Sequence, residues 1–276
     1  MKKILIYLMI ITLIFSSNIL GGISTTHAKN KEGNFEILVN NPQKIKLKAQ
    51  HEDIVAFLEF DKNTGDITYK TNEKNKNGKK EKEYIVEVEE ATKEGVIAKF
   101  TDTDNNEEYI YNSVDASPSF AFVIPVGISL GGALIESLIG LGLAIIIGGV
   151  AYISFSEFYE KNDKKHNHYE AVLNGDGLFI GGGLSKSKAV SRLKSGKDTW
   201  STTKSNAQTI AKEASPISKA IGPEIDKGKN GLPKVGYFYH YHVAKEKNSS
   251  GEYIRLPGKE KKNQNGVHAF YGTPYK

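Results

Sequence analysis

Two histidines stand two residues apart in the aromatic run at residues 236–243, at His240 and His242, and His268 follows near the end of the chain. In an extended strand, residues i and i+2 share a face, so His240 and His242 present their imidazoles side by side. Two imidazoles titrating near neutrality can serve as general base and general acid in one reaction. With His268 or Glu224 the same pair also supplies the ligand types of a divalent metal, so a metal is compatible with the site without being required. Lys227, Lys229, Arg192 and Tyr239 are the candidate substrate contacts, the cations holding an anion and stabilising charge that develops on phosphorus. A single H-x-H is a weak motif, because aromatic strands often carry histidine at a sheet edge for packing. Clustering with His268 on a basic module gives it weight. His166 and His168, in a charged linker, read as structural.

The elements that must position these residues follow from charge and hydropathy. The chain has 276 residues, 25% charged and 39% hydrophobic, enough for one or two packed domains. A mean hydropathy of -0.40 excludes a polytopic membrane protein, and the composition excludes a fully disordered one. The absence of cysteine excludes disulfides, thiolate-bound metals and thiol catalysis. Residues 29–118 carry 14 lysines against 19 acids, a net of -5. Residues 119–156 carry one charge, Glu136. Residues 157–276 carry 21 Lys/Arg against 12 Asp/Glu, a net of +9. An acidic module, an apolar stretch and a basic module thus follow one another.

Lys2 and Lys3, an apolar run over residues 4–15 and the small residues up to Ala28 form the pattern of a secretory signal peptide over residues 1–28, cut after Ala28. An uncleaved N-terminal anchor is the alternative. Residues 29–118 read as an acidic all-β antiparallel module. Alternating segments at 35–39, 44–49, 54–60, 66–71, 83–90, 96–101 and 108–111 predict strands with one wet face. Asp61 to Asp66 and Asp102 to Asn106 read as turns, and the run 72–82 as a solvated loop. The Asp/Asn string at 102–106 lacks the spacing of a calcium loop.

The stretch 119–156 predicts an apolar transmembrane helix over 134–155, or a helical hairpin broken at Pro125 or near Glu136. Its glycines suit close helix packing in lipid. A buried helix pair in a soluble core is the other reading. Acids before the stretch and lysines after it place residues 157–276 on the cytoplasmic side of a single span. Glu136 inside such a span calls for a buried partner or a pH-sensitive insertion step.

Residues 157–276 read as a basic, small α+β domain, and the chain overall as α+β. Strands are expected at 168–173, 178–181, 235–243 and 267–271, helices at 186–194 and about 204–214, and a loop at 222–234. The triple glycine at 181–183 and the GKDT at 196–199 fit no phosphate-binding fingerprint.

The segments SKSKAVSRLKSGKDTWS (185–201), GPEIDKGKNG (222–231), GYFYHYHV (236–243) and HAFYG (268–272) together resemble the C-terminal domain of bacterial polymorphic toxins and of a secreted bacterial toxin family, over roughly residues 119–276. The resemblance implies delivery across a membrane, a terminal effector domain and a cognate immunity protein. Such effectors are frequently nucleases, and the positions carried over are Glu224, Asp226, His240, His242 and His268. The leading expectation is an exported toxin whose basic domain cleaves RNA, or less readily DNA. RNA cleavage can use the ribose 2′-hydroxyl as nucleophile, which suits a chain without cysteine. The competing expectation is a membrane-active or membrane-anchored surface protein without enzymatic activity, its lysines binding anionic lipid rather than nucleic acid.

Overall fold

The computed structural model describes residues 29–30, 33–75, 78–114, 124–160, 165–175, 177–259 and 266–276. The expected signal segment 1–28, Asp115, and Lys161 and Lys164 after the apolar stretch lie outside them.

The acidic half is a meander: β1 (Lys29–Asn30), β2 (Gly33–Asn40), β3 (Lys44–His51), β4 (Ile54–Asp61), β5 (Ile67–Asn75), β6 (Gly78–Thr92), β7 (Gly95–Asp102) and β8 (Glu108–Asn112). Each strand pairs antiparallel with the next. Alternation sets the faces. Ile45, Leu47 and Ala49 on β3 and Ala56, Leu58 and Phe60 on β4 are buried, whereas Lys44 on β3 and Glu59 on β4 pair on the wet side at 2.9 Å. The run 72–82, expected as a loop, instead continues β5 and β6 as a two-stranded arm. Its register runs from Thr71 opposite Lys82 to Asn75 opposite Gly78. Once Ile67 and Tyr69 fix the pairing at the core end, each further backbone pair extends an existing ladder, and no apolar side chain is needed.

The described part of the apolar stretch, residues 124–156, does not form a transmembrane helix or helical hairpin. Its long helix, α1 (Val126–Gly140), has 15 residues, about 22 Å at 1.5 Å per residue against a hydrocarbon core of roughly 30 Å. No helix among the described residues is long and apolar enough to cross a membrane. α1 lies across the meander with Ile128, Leu134, Ile135, Leu138 and Ile139 buried against β3 to β8. Gly131 and Gly132 do pack closely, but against aromatic rings. A Cβ on Gly131 would stand 2.6 Å from the Phe100 ring, and one on Gly132 2.3 Å from the Tyr111 ring. The rest of the stretch is a hairpin, β9 (Ala144–Ile147) and β10 (Val150–Ser154), turned by Gly148 and Gly149, both at positive φ as a two-residue type I′ turn requires.

That hairpin joins the two halves. β9 takes the edge of β6 beyond β5, with Glu90 opposite Ile147 and Ala91 opposite Ile146. On its far side β10 pairs with β12 (Gly177–Leu184), through Ile153–Ile180 and Ser154–Phe179. The basic half continues from there through β11 (His168–Asn174), β13 (Thr199–Ser201), β17 (His268–Tyr271), β15 (Tyr239–Lys247) and β14 (Ala220–Glu224). Among the described residues only β13 and β17 run parallel, and β16 (Tyr253–Arg255) extends β15 further along. The result overturns the expected α+β architecture with a central helical segment: among the described residues strands account for 48% and helices for 19%, in one mixed sheet.

The helices of the basic half are short. α2 (Phe155–Glu160) runs across the expected boundary at 156/157. α3 (Lys186–Lys194) starts at the Ser185 N-cap, whose hydroxyl accepts from Lys188 N, and α4 (Lys204–Ala214) starts at Thr203, which accepts from Asn206 N. Ala189 and Leu193 on α3 and Ala207, Ile210 and Ala211 on α4 pack on one sheet face with Tyr241, Val243 and Ala269. The opposite face holds Phe155, Ile180, Trp200, Phe238 and Phe270. Residues 222–224, expected in a loop, belong to β14. The strand expected over 235–243 begins only at Tyr239, because Gly236 takes a positive φ.

Candidate functional site

His240 and His242 alternate with Tyr241 and Val243 along β15, so the two imidazoles point away from α4 toward the face of Phe238 and Phe270. His242 stands directly opposite His268 on β17, and His240 opposite Phe270. The three rings form a triangle with centroids 4.9 Å (240–242), 5.0 Å (240–268) and 4.7 Å (242–268) apart. His268 also lies nearly parallel to the Phe270 ring at 5.0 Å. All three are buried, with relative exposures of 2%, 1% and 8%. A ring nitrogen from each lies within 4.8 Å of the other two, so the cluster has the composition and spacing to hold a metal ion.

The hydrogen bonds fix the tautomers. His240 Nδ1 faces the Phe238 carbonyl and His242 Nδ1 the Val267 carbonyl, each at 3.1 Å. A carbonyl only accepts, so both Nδ1 atoms carry hydrogen. His268 Nδ1 donates to Asp198 Oδ1 at 3.2 Å, and the same oxygen accepts from the His268 backbone N–H at 2.8 Å. In the neutral rings every Nε2 is therefore a bare lone pair.

Glu224 on β14 is paired with His240 across the ladder, which puts its carboxylate on the same face. Glu224 Oε1 lies 2.7 Å from His242 Nε2, 3.5 Å from His240 Nε2 and 2.7 Å from Arg255 Nη2. The Glu224 side chain is 35% exposed. Burial is the main influence on the His240 and His242 imidazoles. It depresses His240 below the ordinary histidine value, helped by His268, and takes His242 down to about 2, helped by His268, His240 and Arg255. Both shifts work against the general-acid half of the two-histidine scheme.

Gly266 is the point of closest approach. Its φ is +112°, and a Cβ there would stand 3.0 Å from His242 Nδ1 and 2.9 Å from Arg255 Cβ.

The remaining predicted residues lie outside the triangle. Lys227, Lys229 and Asp226 are exposed on the loop that leaves Glu224. Tyr239 points to the opposite face of β15 from the histidines and stacks on Tyr271 at 6.1 Å. Arg192 is held away from the cluster: it pairs with Glu170 at 3.2 Å, and its Nε donates to the Asp198 carbonyl at 2.8 Å. His168 bonds Ser201 Oγ at 2.9 Å, outside the triangle. Sequence reasoning missed Asp198, inside the GKDT segment, and Arg255, in the short β16. A buried aspartate just before the strand Thr199–Ser201, which carries the chain's one tryptophan, was the available signal for the first. Nothing local marked the second.

No protein-family model matches the chain, and comparisons with curated proteins and with solved structures give no match.

Proposed function

We propose that the chain is an exported bacterial toxin whose basic half cleaves the phosphodiester backbone of nucleic acid, RNA before DNA, at the cluster His240, His242, His268 and Glu224. The observation that carries this reading is the grouping of three buried histidines, a ring nitrogen of each within 4.8 Å of the others, beside the partly exposed Glu224 in a module with a net charge of +9. Such a module concentrates polyanions. Arg255 at the rim and Lys227 and Lys229 on the adjoining loop supply cations for phosphate. The ribose 2′-hydroxyl supplies the nucleophile, so the protein needs none. A cognate immunity protein protects the producing cell.

The test is cytoplasmic induction of residues 29–276, keeping β10 and α2 attached to the basic half. Growth arrest with loss of RNA integrity by the wild type, and neither by His240→Ala/His242→Ala at equal soluble level, supports the reading. Arrest by both forms removes the histidine cluster from the mechanism. No arrest by a folded product removes the toxin reading.

A further inference from the structure

We propose that His240, His242 and His268 bind one zinc ion through their Nε2 atoms, with Glu224 as a fourth, exchangeable ligand. Three independent features of the geometry point to a cation at the centre of the triangle.

The first is orientation. Each Nδ1–H is donated outward, to the carbonyls of Phe238 and Val267 and to Asp198, leaving each Nε2 without hydrogen. Histidines that bind metals show the same arrangement, the distal N–H anchored on a carbonyl or carboxylate so that the other nitrogen is basic and fixed. The second is an orphan. His242 Nε2 is buried and makes no hydrogen bond. A buried polar atom without a partner costs about 1–3 kcal/mol, and folded proteins seldom leave one unexplained.

The third is a carboxylate already in place. Glu224 Oε1 lies 2.7 Å from His242 Nε2 and 3.5 Å from His240 Nε2, beside the nitrogens that a cation would use. Arg255 offsets the carboxylate's charge at 2.7 Å but does not satisfy the nitrogen. A divalent ion at the centre of the three Nε2 atoms satisfies every one of these groups at once.

The ligand set selects the metal. Three imidazoles and one carboxylate, without sulfur, suit zinc in a four-coordinate site with bonds of about 2.0–2.2 Å. Magnesium and calcium prefer oxygen ligands, and the two-histidine, one-carboxylate face of mononuclear iron enzymes has one imidazole fewer. Ring nitrogens up to 4.8 Å apart are drawn together by such bonds. Because Glu224 is shared with Arg255 and partly exposed, it is the ligand that can leave.

The test needs no knowledge of the substrate. The chain from residue 29 is stripped with a chelator, then titrated with cobalt(II), and zinc is separately measured by elemental analysis after re-loading and gel filtration. We expect one zinc per chain, and one cobalt with the intense visible bands of four-coordination that zinc displaces. His242→Ala and His268→Ala should lower retained zinc to trace, while His168→Ala, outside the cluster, keeps one. If the histidine variants fail to fold, Glu224→Gln decides: with three imidazoles intact it retains the metal but shifts the cobalt spectrum. A wild-type chain that retains no stoichiometric metal, retention equal in wild type and cluster variants, a six-coordinate cobalt spectrum, an unshifted spectrum in Glu224→Gln, or preferential loading with another first-row metal each overturns the assignment. None of these readouts depends on nucleic-acid cleavage.

Discussion

Tyr111 Oη donates a hydrogen bond to Glu136 Oε1 at 2.9 Å, so the one charge of the apolar central stretch is held by a tyrosine from β8. Burial, and the carboxylate beside it, push the Tyr111 phenol well above its ordinary value, keeping it a donor at any physiological pH. A carboxylate that would be costly in lipid is thereby accommodated in a protein core. Tyr111→Phe should destabilise the chain by about 1–2 kcal/mol in urea denaturation, since it strands a half-buried acceptor. Tyr111→Phe/Glu136→Leu should recover most of the loss. An unchanged midpoint in the single variant would show that the bond contributes nothing.

Gly132 makes the neighbouring contact possible. With a Cβ 2.3–2.5 Å from three atoms of the Tyr111 ring, Gly132→Ala must displace that ring or the helix. The helical propensity of alanine favours the substitution by about 1 kcal/mol, and overpacking opposes it by about 1–3 kcal/mol. A net loss of stability is expected. A gain on thermal melting would mean that α1 stands off from the sheet.

Asp198 is expected to tune metal affinity without touching the metal. Its Oδ1 accepts from both the backbone N–H and Nδ1 of His268, so it fixes that ring's tautomer and angle. Asp198→Asn keeps an acceptor but removes the charge, and should weaken zinc by about 10- to 100-fold in competition with a chromophoric chelator. Equal affinity in the two proteins would reduce Asp198 to a structural role.

Acid should destabilise the metal-free chain early. His168, like His240 and His242, is held below the unfolded value of 6.5, in its case by burial and then by Lys186. The unfolded chain therefore binds protons below about pH 6.5 that the folded chain refuses, and stability falls with pH from there down to the folded value. Each such histidine contributes at most about 1.4 kcal/mol per pH unit. Urea midpoints between pH 7.5 and 5 should fall, and His168→Asn should flatten the slope relative to the wild type. A flat profile for the wild type would mean that these rings protonate in place.

What the sequence could show depended on the range of the cause. Alternation along residues 44–60 and the helical patterns at 186–194 and about 204–214 are local signals, and β3, β4, α3 and α4 lie where those signals put them. The pairing of His240 with His242 on one face was equally local. The apolar stretch misled because a helix under a curved sheet and a helix in lipid are coded by the same residues. Only the rings of Phe100 and Tyr111, which lie outside the stretch, distinguish them. Asp198 meets His268 across 70 positions of the chain, through a parallel pairing of β13 and β17 that no periodicity announces.

The β9–β10 hairpin has a mechanical consequence. It is registered to β6 on one side and β12 on the other, so the two halves share a seam. Pulling on the far end loads two rungs, Ile153–Ile180 and Ser154–Phe179, one after the other, and then draws Phe155 from between the rings of Trp200 and Phe238. Threading through a narrow conduit must therefore unravel the structure at this seam, and whatever emerges alone must rebuild β12 as a bare edge.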